Sequence, residues 1–200
     1  MASWLAGHGA HVVDADKLTH RLYTLDQHLK LELAHRFGDD VIQGDHVDRP
    51  TLAARVRNNP KALADLEAIV HPAVHRLEDH EIAIARTAGV PACVIEAIRI
   101  VESGGSSRCD ELWIVIAQEQ VQLARLRDRG VSEEDARRWI GLQGTVASWT
   151  AGFAAESARL GRARPVIVLD NSSDAAQGRA LVDRLWSGVP AGLTASPEGQ

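Results

Sequence analysis

Two cysteines, Cys93 and Cys109, in 200 residues are too few for a disulfide framework. The opening MASWLAGHGAHVV has neither the basic start nor the long apolar stretch of a secretory signal. The expected address is therefore the reducing cytoplasm. No apolar run approaches the roughly eighteen residues that a membrane-spanning helix needs, so no membrane partner is expected. Blocks of like charge are missing too. With 22 basic and 27 acidic residues, a net charge of −5 and no run of five like charges, neither a nucleic-acid-binding arm nor a polybasic anchor is indicated. A further absence is the phosphate-binding loop G-x-x-x-x-G-K-S/T, which occurs nowhere. The one glycine pair, Gly104 and Gly105 in ESGGSS, has no lysine beside it and no helical pattern after it, and reads as a loop. What remains is an average composition, 45% apolar and 24% charged, in a chain long enough to bury a proper core.

Four short apolar runs rich in β-branched residues each close on a polar residue: HVVDAD (11–16), PACVIEA (91–97), ELWIVIA (111–117) and PVIVLDN (165–171). Runs without polar alternation suit strands covered on both faces, and the segments between them have helical periodicity. The fold class read from this is α/β, a parallel sheet wrapped by helices. Ligands of such folds gather at the carboxyl ends of the strands, where Asp14, Asp16, Glu96, Asp170 and Asn171 fall. The plainer reading of these polar residues is that they favour turns.

About seventy residues separate the first two runs, more than one crossover helix requires, so they are expected to form a helical subdomain. Within it, Lys61 to Val70 places Leu63, Leu66, Ile69 and Val70 on one face. Pro72 predicts a helix end at His71 and a new helix beginning at Pro72, with Gly89 as its stop. Further on, Gln118 to Arg129 reads as a basic helix, and Ser132 with Asp135 as the cap of another through Trp139 and Ile140. Residues 188–200 have the composition of a flexible tail. The chain opens on the back half of a helix, Ala2 to Ala6, where a parallel α/β domain normally opens on a strand.

Taken in order, VVDADKLTHRLY, FGDDVIQGDHVDRPTLAARVRNNPKALADLEAIVHPAV, the glutamate of IVES, CDELWIV, QLARLRDRGVSEEDARR, and LDN followed by LVDRLW resemble the dephospho-coenzyme A kinase family over residues 2 to about 187. The resemblance implies the P-loop kinase fold. It also implies transfer of the γ-phosphate of ATP, with Mg2+, to the 3′-hydroxyl of dephospho-CoA, the last step of coenzyme A biosynthesis. On this reading 1–187 is a single P-loop-kinase-like domain, with a helical CoA-side subdomain over about 17–89 and a lid over about 118–163. The family's first strand and phosphate loop would precede Ala2. The expectation is thus a chain truncated at its N-terminus and without kinase turnover as written. The family's P-L-L before Glu102 reads Ile98-Arg99-Ile100 here, and the stretch after Gln143 is longer than the family pattern.

By resemblance, Asp16 is the catalytic base that accepts or orients the hydroxyl proton, and Arg125 neutralises phosphate oxygens with its planar fork. Arg125, Arg129 and Asn171 are expected on the ATP side, and Asp14, Arg49, His71 and Glu102 on the substrate side. Each has a bland alternative. Asp14 or Asp16 would cap a helix, Arg49 would pair with Asp45 or Asp48, His71 would cap the helix opened by Pro72, Asn171 would serve a turn, and the arginines would line a solvated face. No protein-held metal is expected: His71 and His75 are four apart, but a helix ending at His71 would keep them off one face. A second reading is a non-catalytic protein that binds CoA or a nucleotide; a third, another nucleotide kinase, rests on fold alone. ATP and dephospho-CoA are the partners implied.

Overall fold

The computed structural model describes residues 1–189. They fall into two compact units, residues 2–97 and 98–188.

The first unit opens with α1 (Ala2–Gly7), which turns at Gly9 (φ +93°) into β1 (His11–Asp14). β1 lies parallel to β4 (Cys93–Glu96), His11 opposite Cys93 and Asp14 opposite Glu96. The connection between these strands is helical, as the spacing predicts: α2 (Ala15–Leu25), α3 (Gln27–Phe37), α4 (Arg49–Val56) and α5 (Pro60–Thr87). A two-residue-per-strand hairpin, β2 (Ile42–Gln43) and β3 (His46–Val47), sits between α3 and α4 and was not anticipated from sequence. Asp26 makes the corner between α2 and α3. Its N–H donates to Leu22 O at 2.9 Å, and its carboxylate accepts from Leu29 N at 3.0 Å, so one residue ends one helix and caps the next. Leu22, Leu29, Leu33, Val41, Leu52, Val70 and Val74 close the core beneath these helices. Lys30 is buried beside it at 4% exposure, and its ammonium donates to Thr24 O at 2.9 Å and Asp45 O at 2.5 Å. A buried cation is tolerated only when its donors are met in this way.

The expected break at His71 does not occur. α5 runs unbroken over 28 residues with Pro72 inside it, so His71 lies within the helix. Proline costs a helix interior about 3 kcal/mol, but Val70, Ala73 and Val74, on both sides of it, are buried in one core. Burying Val70 and Val74 alone is worth roughly 1.5–3 kcal/mol each, which outweighs the local rule.

In the second unit β5 (Leu112–Ile116) lies parallel to β6 (Val166–Asp170), Leu112 opposite Val166 and Ile116 opposite Asp170. Between them come α6 (Glu119–Asp128), α7 (Glu133–Gly141) and α8 (Val146–Arg159), and after them α9 (Ala175–Trp186). Ser132 caps α7 by accepting from Asp135 N at 3.1 Å, as its pattern predicts. Leu112, Ile114 and Phe153 form the core. Beneath α8 the Arg164 side chain is buried, its guanidinium 4.0 Å from the Phe153 ring centroid. It donates to Ser106 O at 2.6 Å, Cys109 O at 2.9 Å and Ser157 Oγ at 2.9 Å. All four expected strands are present and pair parallel two by two. The expected tail lies, from residue 190 on, outside the described residues.

Candidate active site

The carboxyl end of the β1–β4 pair carries two carboxylates side by side in register, Asp14 and Glu96. Asp14 is the N-cap of α2: it accepts from Lys17 N at 3.0 Å and pairs with the Lys17 ammonium at 2.9 Å. These contacts, the Lys17 side chain first, hold its carboxyl below the usual carboxylate value and raise the Lys17 ammonium in return. Of the two aspartates the cap is therefore Asp14. Asp16 stands exposed in the first turn of α2 rather than on a strand, and its carboxylate is not spent on the helix end.

One helical turn beyond Asp16, on the same face of α2, is His20. The Arg49 guanidinium, carried on the first residue of α4, meets its ring. The expected alternative for Arg49, a pair with Asp45 or Asp48, is not what forms: Asp48 accepts from Thr51 Oγ1 and from Gln43 Nε2. His20 is a residue that sequence reading missed; its signal is the four-residue spacing from Asp16. Farther along, His71 and His75 stack at 6.1 Å between ring centroids, on one face of α5, because the helix does not break. Their expected separation is thereby corrected. Among the described residues no group of three His, Cys, Asp or Glu side chains is placed to hold a metal ion.

The carboxyl end of the β5–β6 pair gathers a second set. Asn171 N donates to Ile116 O at 2.7 Å, Ser172 N to Asp170 Oδ1 at 2.8 Å, and Gln118 N to Ser172 Oγ at 2.8 Å. Ser172 holds the Asp170 carboxyl below its ordinary value. Half-buried Arg125 reaches from α6 to Ser173 O at 3.4 Å, so it joins Asn171 at this strand end. Arg129 is exposed at the end of α6. Glu102, exposed ahead of β5, accepts from Trp149 Nε1 at 2.9 Å. Polar groups thus collect at the carboxyl ends of both strand pairs, where parallel α/β folds bind ligands.

The family model described as CoaE, dephospho-CoA kinase, matches residues 1–177. The chain belongs to the dephospho-CoA kinase family. It is 32% identical over 180 residues to the dephospho-CoA kinase of Geobacter metallireducens, which spans 89% of this chain and 84% of that one. The Symbiobacterium thermophilum dephospho-CoA kinase is 32% identical over 191 residues, 94% of this chain and 75% of that protein. Among solved structures, the crystal structure of TT1252 from Thermus thermophilus is similar with a TM-score of 0.70 and 28% identity, over 94% of this chain and 90% of that one. The dephospho-CoA kinase from Campylobacter jejuni shares the fold, with a TM-score of 0.55 at 18% identity. The expected P-loop kinase fold and kinase family are thereby met, and a kinase family implies use of ATP. No helix of the described residues is long and apolar enough to cross a membrane.

Proposed function

We propose that this dephospho-CoA kinase family member serves transfer of the ATP γ-phosphate to the 3′-hydroxyl of dephospho-CoA, with the two units acting as one kinase domain. In it the helical stretch 17–89 faces the CoA side and 118–163 forms the lid. The observation that carries the reading is the family match over residues 1–177, with the D-A-D motif at the carboxyl end of a parallel strand. Asp16 orients the acceptor hydroxyl and takes its proton, a role suited to a carboxylate free of capping duty. Arg125 and Arg129 neutralise phosphate oxygens, and Asn171 contacts the adenine. Arg49, carried on α4 and held against the His20 ring of α2, meets the phosphates of dephospho-CoA, while Asp14, His71 and Glu102 complete the substrate side.

Magnesium takes hard oxygen donors in few protein contacts, keeping water and substrate phosphates as its other ligands. At the strand ends Glu96 would be the carboxylate to offer such a donor, since both oxygens of Asp14 beside it are engaged by Lys17. When bound with ATP, the ion neutralises charge on the transferred group.

The 200 residues contain no G-x-x-x-x-G-K-S/T, and that loop's amides and lysine are the donors that stabilise the transferring phosphoryl group. A second reading, binding of dephospho-CoA without transfer, concerns these 200 residues taken alone. Both are tested with the purified 200-residue protein. It should bind dephospho-CoA in calorimetry, and Arg49→Ala should weaken binding at least about tenfold, the worth of a charged hydrogen bond. Turnover should stay far below the kinase range, on the order of 1 per second. Equal binding by Arg49→Ala overturns the substrate-side assignment. Turnover in that range, abolished by Asp16→Asn, overturns the requirement for the loop.

A further inference from the structure

The turn that carries Glu102 is tied to α8 by contacts for which the phosphoryl-transfer reading has no use. Glu102 accepts from the Trp149 indole N–H at 2.9 Å. The indole packs flush against Gly144, where a Cβ would lie 2.6 Å from Nε1. Three residues on, Gly152 comes so near Val101 that a Cβ would lie 2.6 Å from Val101 Cγ1. Glu156, a further turn along the same face, accepts from Ser106 Oγ at 2.6 Å. Phe153 fixes that face in the core, with Ile100 and Val101 packed against the same cluster. Gly152, one buried aromatic and two hydrogen bonds thus set α8 against residues 100–106 at a fixed distance, while Gly144 backs the Trp149 ring whose donor sits at one oxygen of Glu102.

We propose that Trp149 is the positioning residue for Glu102, holding one carboxylate oxygen so that the other is presented to a hydroxyl of the acceptor nucleotide. This rests on the reading of Glu102 as a substrate-side residue. A glutamate side chain free on an exposed turn loses up to about 2 kcal/mol of rotamer entropy when a ligand orders it, and a donor that orders it beforehand removes part of that cost. Indole suits the task because its N–H only donates. It orients the carboxylate without competing as an acceptor for the ligand's hydroxyl.

The test is a double-mutant cycle read by calorimetric titration of the 200-residue protein with dephospho-CoA. Trp149→Phe keeps the ring beside Gly144 and deletes the donor; it should weaken binding about fivefold, the worth of one hydrogen bond. Glu102→Ala should weaken it at least as much, and adding Trp149→Phe to Glu102→Ala should cost nothing more. Unchanged binding by Trp149→Phe beside a weakened Glu102→Ala overturns the positioning role and leaves the reading of Glu102 standing, as do losses that simply add. Unchanged binding by Glu102→Ala, or a parent protein that binds no dephospho-CoA, removes that reading and the inference with it. Should circular dichroism show Trp149→Phe unfolded, Gly144→Ala replaces it in the cycle. Its Cβ displaces the indole while leaving Trp149 in place, and the same coupling to Glu102 is expected.

Discussion

Replacing Arg164 by methionine keeps an unbranched stem and deletes a guanidinium whose side chain is only 1% exposed. The two carbonyls of Ser106 and Cys109 and the Ser157 hydroxyl lose a charged donor, and the Phe153 ring loses the cation 4.0 Å above it. Each buried acceptor left unmet costs about 1–3 kcal/mol. Part of this is offset because the guanidinium no longer has to be desolvated, which brings the expected loss to about 3–5 kcal/mol, the range for breaking a buried charged network. A unit of this size holds roughly 5–10 kcal/mol in all, so about half its stability is at stake. The midpoint of thermal unfolding should fall by on the order of 20 °C. Urea titration followed by tryptophan fluorescence reads this directly, since Trp113, Trp139, Trp149 and Trp186 all lie in residues 98–188. Arg137→Ala is the control: its partners Glu119 and Glu133 hold it at the surface, and the midpoint should hardly move. An Arg164→Met protein within about 1 kcal/mol of the parent, or indistinguishable from the control, would refute the reasoning.

Burial, with the Glu81 carboxylate as the lesser cause, pushes the Cys93 thiol up to about 11. At pH 8 it should therefore be alkylated by iodoacetamide at least about tenfold more slowly than a thiol at the ordinary 9.0, the scarcer thiolate outweighing its greater nucleophilicity. Peptide mapping over a time course checks this, and a Cys93 rate equal to that of a free thiol counts against it. The Asp14 carboxyl is lower in the folded chain than its ordinary 3.8, so its stabilising share is fully present above that value and is lost as pH falls through the folded value. The gap in thermal midpoint between the parent and Asp14→Ala should therefore be open at pH 6 and close in acid below about 3.8; a gap independent of pH contradicts the capping and Lys17 contacts.

The strands are readable because each is a short apolar run rich in β-branched residues, a local pattern. The cover on both faces that the missing alternation predicts is not met among the described residues, where Val115 and Val168 stand 47% exposed and no residue of β4 is buried. Ser132 at the start of α7 is readable for the same local reason, since cap and helix are neighbours in sequence. Pro72 misled because the rule it follows is local, whereas Val70 and Val74 on either side of it answer to a core assembled from α2, α3 and α4. Within the candidate site, Asp14 and Asp16 were visible as a motif, but which of them is spent on capping is decided by the Lys17 contacts. The Arg49 to His20 and Trp149 to Glu102 contacts join residues 29 and 47 apart, and no spacing rule reaches that far. Lys30 and Arg164 look like surface charges in a composition count; only the carbonyls that surround them make burial affordable.

α5, about 42 Å long at 1.5 Å per residue, carries Pro72 near its middle. Proline has no N–H to offer the carbonyl four residues back, at Ala68, so the ladder that stiffens the rod lacks a rung there. Its N-terminal half packs Ala62 and Val70 into the helical core, and its C-terminal half carries Glu81, which holds His11 of β1 at 2.8 Å. The core grips the helix on both sides of that gap, through Val70 before it and Ala73 and Val74 after it, so packing bridges the missing rung. The residue that breaks the pattern in the sequence thus costs the helix one hydrogen bond and leaves unbroken its run from the helical core to Glu81, beside the strand that ends at Asp14.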